Sequence, residues 1–234
     1  MKTVAISFRL AAVSAALVMG SAAHADLTIP FAATDSNSVQ AFPAENLNAF
    51  DLVQLTVEAK GNATPVGTPV PGETNGTLTA PAFKFPVTKI VIGSKLNIAA
   101  GSAVGSALYF KRFNDETGAT LGFTLANFTI DYVNKKVLAD VTPNGGVAAI
   151  QRPVYTFNVA TPLALKYKFP LTVTGFEVLD QLKLTDEAKG VFTQVLELPE
   201  FALFALDFDY GTLSQDISTK LRKNKISTKP YVAQ

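Results

Sequence analysis

Along most of this chain apolar and polar residues alternate with a period of two, and that alternation predicts β-strands. From Ala49, the segment AFDLVQLTVEAK sets Val53, Leu55, Val57 and Ala59 on one side and Gln54, Thr56, Glu58 and Lys60 on the other, a strand with one wet face. Residues 61–77, with four glycines and three prolines, read as a long surface loop without regular structure. The pattern resumes in FKFPVTKIVIG (83–93), where Pro86 lacks an amide donor and belongs at an edge or a strand start. Residues 121–141, LGFTLANFTIDYVNKKVLADV, read as a hairpin. A two-residue turn at Asn134-Lys135 would pair Tyr132 with Val137 and Ile130 with Ala139, burying one face. Phe123 and Leu125 are out of phase with Phe128 and Ile130, and a bulge near Ala126-Asn127 would restore the phase. After Gly145-Gly146, PVYTFNV and LALKYKFPLTVTGFEVL are further strands.

The period changes at Thr185. As an N-cap, Thr185 places Asp186 and Glu187 in a first helical turn, and Ala188, Phe192 and Val195 follow at helical spacing. Pro199 suits the first turn of a second short helix through PEFALFAL. The expected fold is mainly β: an antiparallel β-sandwich or partly open barrel, with one or two short helices near the C-terminus.

The first 25 residues have a basic start (Lys2, Arg9), an apolar run from Leu10 to Met19, and Ala23 and Ala25 flanking His24, the order of parts of a cleavable export signal. The apolar run is roughly ten residues, where a helical span needs about twenty. The expected organisation is a signal peptide at 1–25, a single β-rich domain at 26–215 and a basic C-terminal tail at 216–234. Such a chain works in the periplasm, at the cell surface or outside the cell. It has no Cys, so neither disulfides nor a lipid-modified cysteine contributes, and packing must supply stability.

The one His of the chain, His24, lies within the signal, so the mature domain has none. That removes His-dependent triads, Cys nucleophiles and zinc or copper sites built from His and Cys. No glycine-rich phosphate loop of standard spacing occurs, and the near-balanced charge argues against nucleic acid. Enzyme chemistry is left with carboxylates, lysines, tyrosines and hydroxyls; no catalytic residue and no cofactor is assigned.

The site candidates are few. Asp207 and Asp209 in LDFDYG would share one face of a strand and reach a hard cation, though a solvated strand face explains them as well. Phe192, Phe201 and Phe204 would either line a cavity for an apolar ligand or fill the core. Lys220, Arg222, Lys223 and Lys225, with Lys229, make a basic tail that is either frayed and solvated or a contact for an anionic surface. Asn62, Asn75 and Asn127 stand in glycosylation sequons and are expected bare in a bacterial host.

The pieces GSALYFKR, LGFTLANFTIDYVNKKVLADV, LKLTDEAKGVF and DYGTLSQDIS, taken in order, resemble the HtaA-type haem-binding domains of exported bacterial proteins over about half of the mature chain. The resemblance implies a two-layer antiparallel β fold with short helices. In that family the opening segment holds a tryptophan-rich stretch with the tyrosine that meets the iron. The corresponding DLTIPFAATDSNSVQAF has neither Trp nor Tyr, so haem binding does not carry over.

The leading expectation is an exported, non-catalytic structural or binding module that works through loops such as 61–77 or through strand edges such as DLTIPFA, with a cell-envelope protein, a polysaccharide or a second copy as partner. The alternative is a carrier for a small apolar ligand, haem or lipid. A carboxylate-dependent hydrolase is third; it would require two facing acids with raised pKa values.

Overall fold

A computed structural model describes residues 27–93, 97–169 and 172–233, so the expected export signal and its expected cleavage site lie outside the described residues. The elements in order are β1 (Leu27–Pro30), β2 (Asn37–Ala41), α1 (Ala44–Leu52), β3 (Leu55–Gly61), β4 (Thr64–Val66), β5 (Val70–Pro71), β6 (Leu78–Thr79), β7 (Ala82–Pro86) and β8 (Lys89–Ile92). There follow β9 (Ile98–Asn114), β10 (Ala119–Asp131), β11 (Lys136–Pro143), β12 (Ala149–Lys168), β13 (Thr172–Leu184), α2 (Asp186–Val195), a 3-10 segment (Glu200–Asp207) and β14 (Thr212–Ser218).

Twelve of these strands form one antiparallel sheet in the order β1-β8-β9-β10-β11-β12-β13-β14-β2-β7-β4, with β3 paired to β9, while β5 and β6 form a small separate ribbon. The sheet curls into a half-barrel, the mainly β, partly open architecture that the alternation predicts. Across the interior, Phe85 on β7 packs on Phe128 of β10 with ring centroids 5.0 Å apart.

β9 is long enough to serve two partners on one edge: β8 pairs with residues from Ile98 to Ser102, and β3 with residues from Ser106 to Arg112. Gly105 stands between them at φ +81°, where a Cβ would lie 2.6 Å from the Asn62 side-chain nitrogen and 3.0 Å from the Lys229 and Ser227 carbonyls of the C-terminal tail. Directly across, the register of β10 shifts after Ala126 and Asn127 has φ 54°, so the bulge lies where the phase change predicts it.

Other expectations need correcting. Residues 49–52 close α1 instead of opening a strand; Pro43 as N-cap and Glu45 in the first turn start that helix, and β3 begins at Leu55. Pro86 ends β7 past the reach of β4, which pairs only with residues 82–84, so of the two placements expected it takes the edge and not the strand start. The 61–77 loop contains the short strands β4 and β5. The β10–β11 hairpin pairs Ile130 with Val137 and Asp131 with Lys136, two residues away from the expected register. A slip of two leaves every side chain on its face, so Ile130, Val137 and Ala139 are still buried. Asp207 ends the 3-10 segment and Asp209 lies beyond it, outside any strand.

The tail is bound rather than frayed. Arg222 is turned inward and donates to the carbonyls of Ser36 (3.2 Å) and Val87 (2.7 Å), with Asp35 3.8 Å away. Farther on, Asn62 takes the N–H of Ser227 at 2.9 Å and donates to its carbonyl at 2.7 Å. Asn127 holds Tyr231 in the same two-sided way, at 2.8 and 3.0 Å. Two of the three sequon asparagines therefore fasten the C-terminus by its backbone.

Inside the half-barrel lies a polar group of side chains. Tyr132 donates its hydroxyl to Glu177, and the Gln215 amide donates to both, at 2.6 Å to the hydroxyl and 3.3 Å to the carboxylate. Burial pushes the Glu177 carboxyl above its ordinary value of 4.5. A carboxyl raised on folding favours the folded state most below that ordinary value and loses the advantage as pH climbs through the raised one. Glu177→Gln should therefore melt close to wild type at pH 4 and progressively above it toward pH 8, as followed by thermal unfolding. A melting difference that does not grow with pH would show that the carboxyl ionises freely in the fold.

Candidate functional site

At one end of the half-barrel, α1, α2 and the 3-10 segment pack over the sheet. The Thr185 hydroxyl accepts the Ala188 N–H at 3.2 Å and caps α2 as its sequence predicts. This orients Phe192 into the core, where its ring meets Phe123 at 4.9 Å, Phe110 at 5.1 Å and Tyr210 at 6.2 Å. Arg112 on β9 joins the helices at their C-termini, donating to the carbonyls of Val53, Leu196 and Glu197, each at 3.0 Å. A cation there also offsets the negative ends of both helices.

Between α1 and the 3-10 segment these contacts leave a cleft of about 360 Å³. Phe50, Phe192 and Tyr210 line it as buried rings, and Phe204 lines it while remaining 58% exposed. That volume is at the small end of ordinary ligand pockets. No Lys or Arg lines the cleft; Glu45, on the exposed side of α1, is its one carboxylate. Burial raises the pKa of the Tyr210 phenol well above its ordinary value, so the ring stands neutral. One polar atom is unaccounted for: the side-chain carbonyl of Asn46 is buried without a hydrogen-bond partner, a situation that costs about 1–3 kcal/mol.

One wall is held by Asp51. Its carboxylate accepts the backbone N–H groups of Thr74 (2.6 Å), Asn75 (3.1 Å) and Thr77 (3.3 Å), and Asn75 donates to the Asp51 carbonyl at 2.7 Å. Burial alone would raise this carboxyl, but the N–H groups together outweigh it and hold the pKa below the ordinary value. Gly72 has to be glycine, because a Cβ there would lie 1.7 Å from an Asp51 carboxylate oxygen. The loop 72–77 is thus pinned against α1, and Thr74 borders the cleft.

The residues singled out in the sequence have separate fates. Phe192 both fills the core and floors the cleft, Phe204 lines the cleft, and Phe201 is 61% exposed outside its lining. Asp207 pairs with Lys189 at 2.6 Å and Asp209 accepts the Gly211 N–H at 2.8 Å; the two are not brought to a common centre. Among the described residues no group of three or more His, Cys, Asp or Glu side chains gathers to hold a metal ion. Lys220 approaches Asp35 at 3.6 Å and Arg222 is committed to backbone carbonyls, whereas Lys223 and Lys225 stand exposed. For the hydrolase reading, the hydrogen-bond partners of Glu177 are Tyr132 and Gln215, not a second carboxyl.

A haem iron fits this cleft poorly. The described residues contain no His, Cys or Met, and the one phenol at the cleft is kept protonated by its surroundings.

No protein-family model and no curated protein matches this chain. Among solved structures, the C-terminal domain of HtaA from Corynebacterium glutamicum is similar, with a TM-score of 0.49 and 14% identity over 79% of this chain and 97% of that chain. The HtaA-type resemblance seen in the sequence thus has a distant structural counterpart, too remote to bear on ligand or partner.

The loop anchor is directly testable. Asp51→Ala should cost about 2 kcal/mol in stability and should speed hydrogen exchange at Thr74, Asn75 and Thr77 while the strands stay protected. Unchanged exchange at those three amides would mean that the loop is held by other contacts.

Proposed function

We propose that this chain is an exported, non-catalytic binding module, acting in the periplasm or at the cell surface, that carries a small apolar ligand in the cleft between α1 and the 3-10 segment. The observation that carries this reading is a cleft walled by aromatic rings at the end of the half-barrel, with Phe204 left exposed on its wall.

The test is native mass spectrometry with an absorbance spectrum on mature protein purified from its own host without added ligand. A co-purifying apolar molecule near one-to-one is expected, and Phe204→Glu should weaken binding of a hydrophobic fluorescent probe at least about tenfold without lowering the melting temperature. A clean apo mass together with no saturable probe binding would end the carrier reading. A Soret band would name haem as the cargo and overturn the poor fit described above.

A second reading rests on the sheet's edge. β1 is the outermost strand beside β8, and Leu27 on it is 45% exposed, so its outer edge is open to a further strand from a second copy. Deleting residues 26–32 should then change the assembly state seen by light scattering. An unchanged state removes this reading and leaves the carrier reading intact.

A further inference from the structure

β12 outruns its neighbours. β11 pairs with it only as far as Thr156, so from residue 158 to Lys168 the strand is held by β13 alone and its other edge is open. On one face of this ribbon the apolar side chains emerge step by step. Leu163 is half-buried against the Val87, Ile90, Ile92, Ile98 and Ile217 cluster. Leu165 shares its face, since a Cβ at Gly175 would lie 2.8 Å from Leu163 and 3.0 Å from Leu165. Tyr167, two residues on, is 66% exposed, and Phe169 just past the strand is 85% exposed. An apolar row that climbs out of the fold in this way is a contact surface in want of a partner.

The charges around it identify that partner. The sequence from 158 to 176 contains Lys166 and Lys168 and no acid. The Thr219 N–H donates to the Val173 carbonyl at 2.9 Å and its hydroxyl accepts the Val173 N–H at 2.8 Å, which sets the start of the basic tail beside the ribbon, with Lys220, Leu221 and Lys223 exposed. Two acids are near. Asp35 already faces Lys220 and Arg222, at 3.6 and 3.8 Å, and Asp216 stands opposite Phe176, on the other face of the ribbon. Rings and lysines together, with the acids matched or turned away, suit the headgroup layer of an anionic bilayer, where rings enter the acyl boundary and ammonium groups meet phosphates. A strand from another protein suits the open edge less well. Pro162 has no N–H, and the pairing with β13 shifts register twice between Asn158 and Ala164, devices that blunt an edge against further strands.

We propose that this end of the ribbon docks on an anionic lipid bilayer, with Leu165, Tyr167 and Phe169 as its apolar part and Lys166, Lys220 and Lys223 as its basic part. Neither part suffices alone, since stable membrane anchoring takes two signals. α2 follows the opposite end of β13, so docking leaves the cleft away from the lipid, and the contact needs no ligand there.

The test is flotation of the mature protein with vesicles of phosphatidylcholine alone or mixed with phosphatidylglycerol. Wild type should partition onto the mixed vesicles at least about tenfold more strongly, since each lysine that reaches an anionic surface is worth about fivefold, and high salt should remove that preference. Phe169→Asp should lose about tenfold in binding with an unchanged melting temperature, and Lys166→Glu should lower the preference for the mixed vesicles. The chain has no Trp, so Phe169→Trp installs a single reporter. Its emission should shift to the blue on mixed vesicles, whereas that of Phe113→Trp, exposed beside Gln54 at the helical end, should stay as it is in buffer. Equal partition onto the two kinds of vesicle, or no partition onto either, would overturn the proposal. So would a bound protein whose Phe169→Trp emission does not shift, because another surface would then be making the contact. A dimer that Phe169→Asp dissolves, with no vesicle binding, would assign the ribbon to a second copy instead.

Discussion

The helical end of the protein depends on the placement of one ring. Phe192 touches Phe110 on β9, Phe123 on β10 and Tyr210 just before β14, so a single side chain ties α2 to the middle of the sheet and to its far part. Without disulfides, contacts of this kind are what holds helices on a sheet. Because Phe192 also floors the cleft, the pocket rests on the aromatic core. The two remaining supports are polar: Arg112 gathers the helix C-termini, and Asp51 pins the loop 72–77. Apolar packing fixes where the elements lie, and these hydrogen bonds fix their orientation around the cleft.

Much of the sheet was legible in the chain. Period-two alternation marked the β3 core, the β10–β11 hairpin and the first part of β12, because each of these buries one face and leaves the other in water; PVYTFNV and LALKYK, read as separate strands, are one strand, β12, whose residues 158–167 have no buried face. The bulge at Ala126-Asn127 was visible as a change of phase. The hairpin register was two residues off because alternation specifies which face a residue takes but not the length of the turn, which here spans residues 132–135. α1 was hidden because its C-terminal residues continue smoothly into the alternating pattern of β3. The Pro43 and Glu45 start signal, with Asn46 and Phe50 four apart, was the cue that could have revealed it.

The site was legible only in part. Phe192 and Phe204 could be selected as aromatic residues on helical segments, but the cleft exists because α1 and the 3-10 segment, about 150 residues apart in sequence, come to face each other. Local pattern contains no record of that meeting. The same limit applies to Arg222, whose place in a run of basic residues resembles a solvent-facing charge. Two backbone carbonyls, of Ser36 just before β2 and of Val87 just after β7, draw it inward. The asparagines that grip the tail were noticed for the wrong chemistry, since a sequon and a backbone clamp use the same side chain.

The pairing of β2 with β14 has a consequence for how the chain comes into being. Residues 37–41 pair on one side with residues 82–86, but their other neighbour is at residues 212–216, so the sheet path that leads from β14 through β2 and β7 to β4 joins the rest only when nearly the whole chain is available. Such distant closure is slow to nucleate and cannot run ahead of synthesis. A polypeptide that has to thread through a narrow membrane channel must stay unfolded on the side where it is made. In this chain the architecture itself postpones the final fold until the last β-strand arrives.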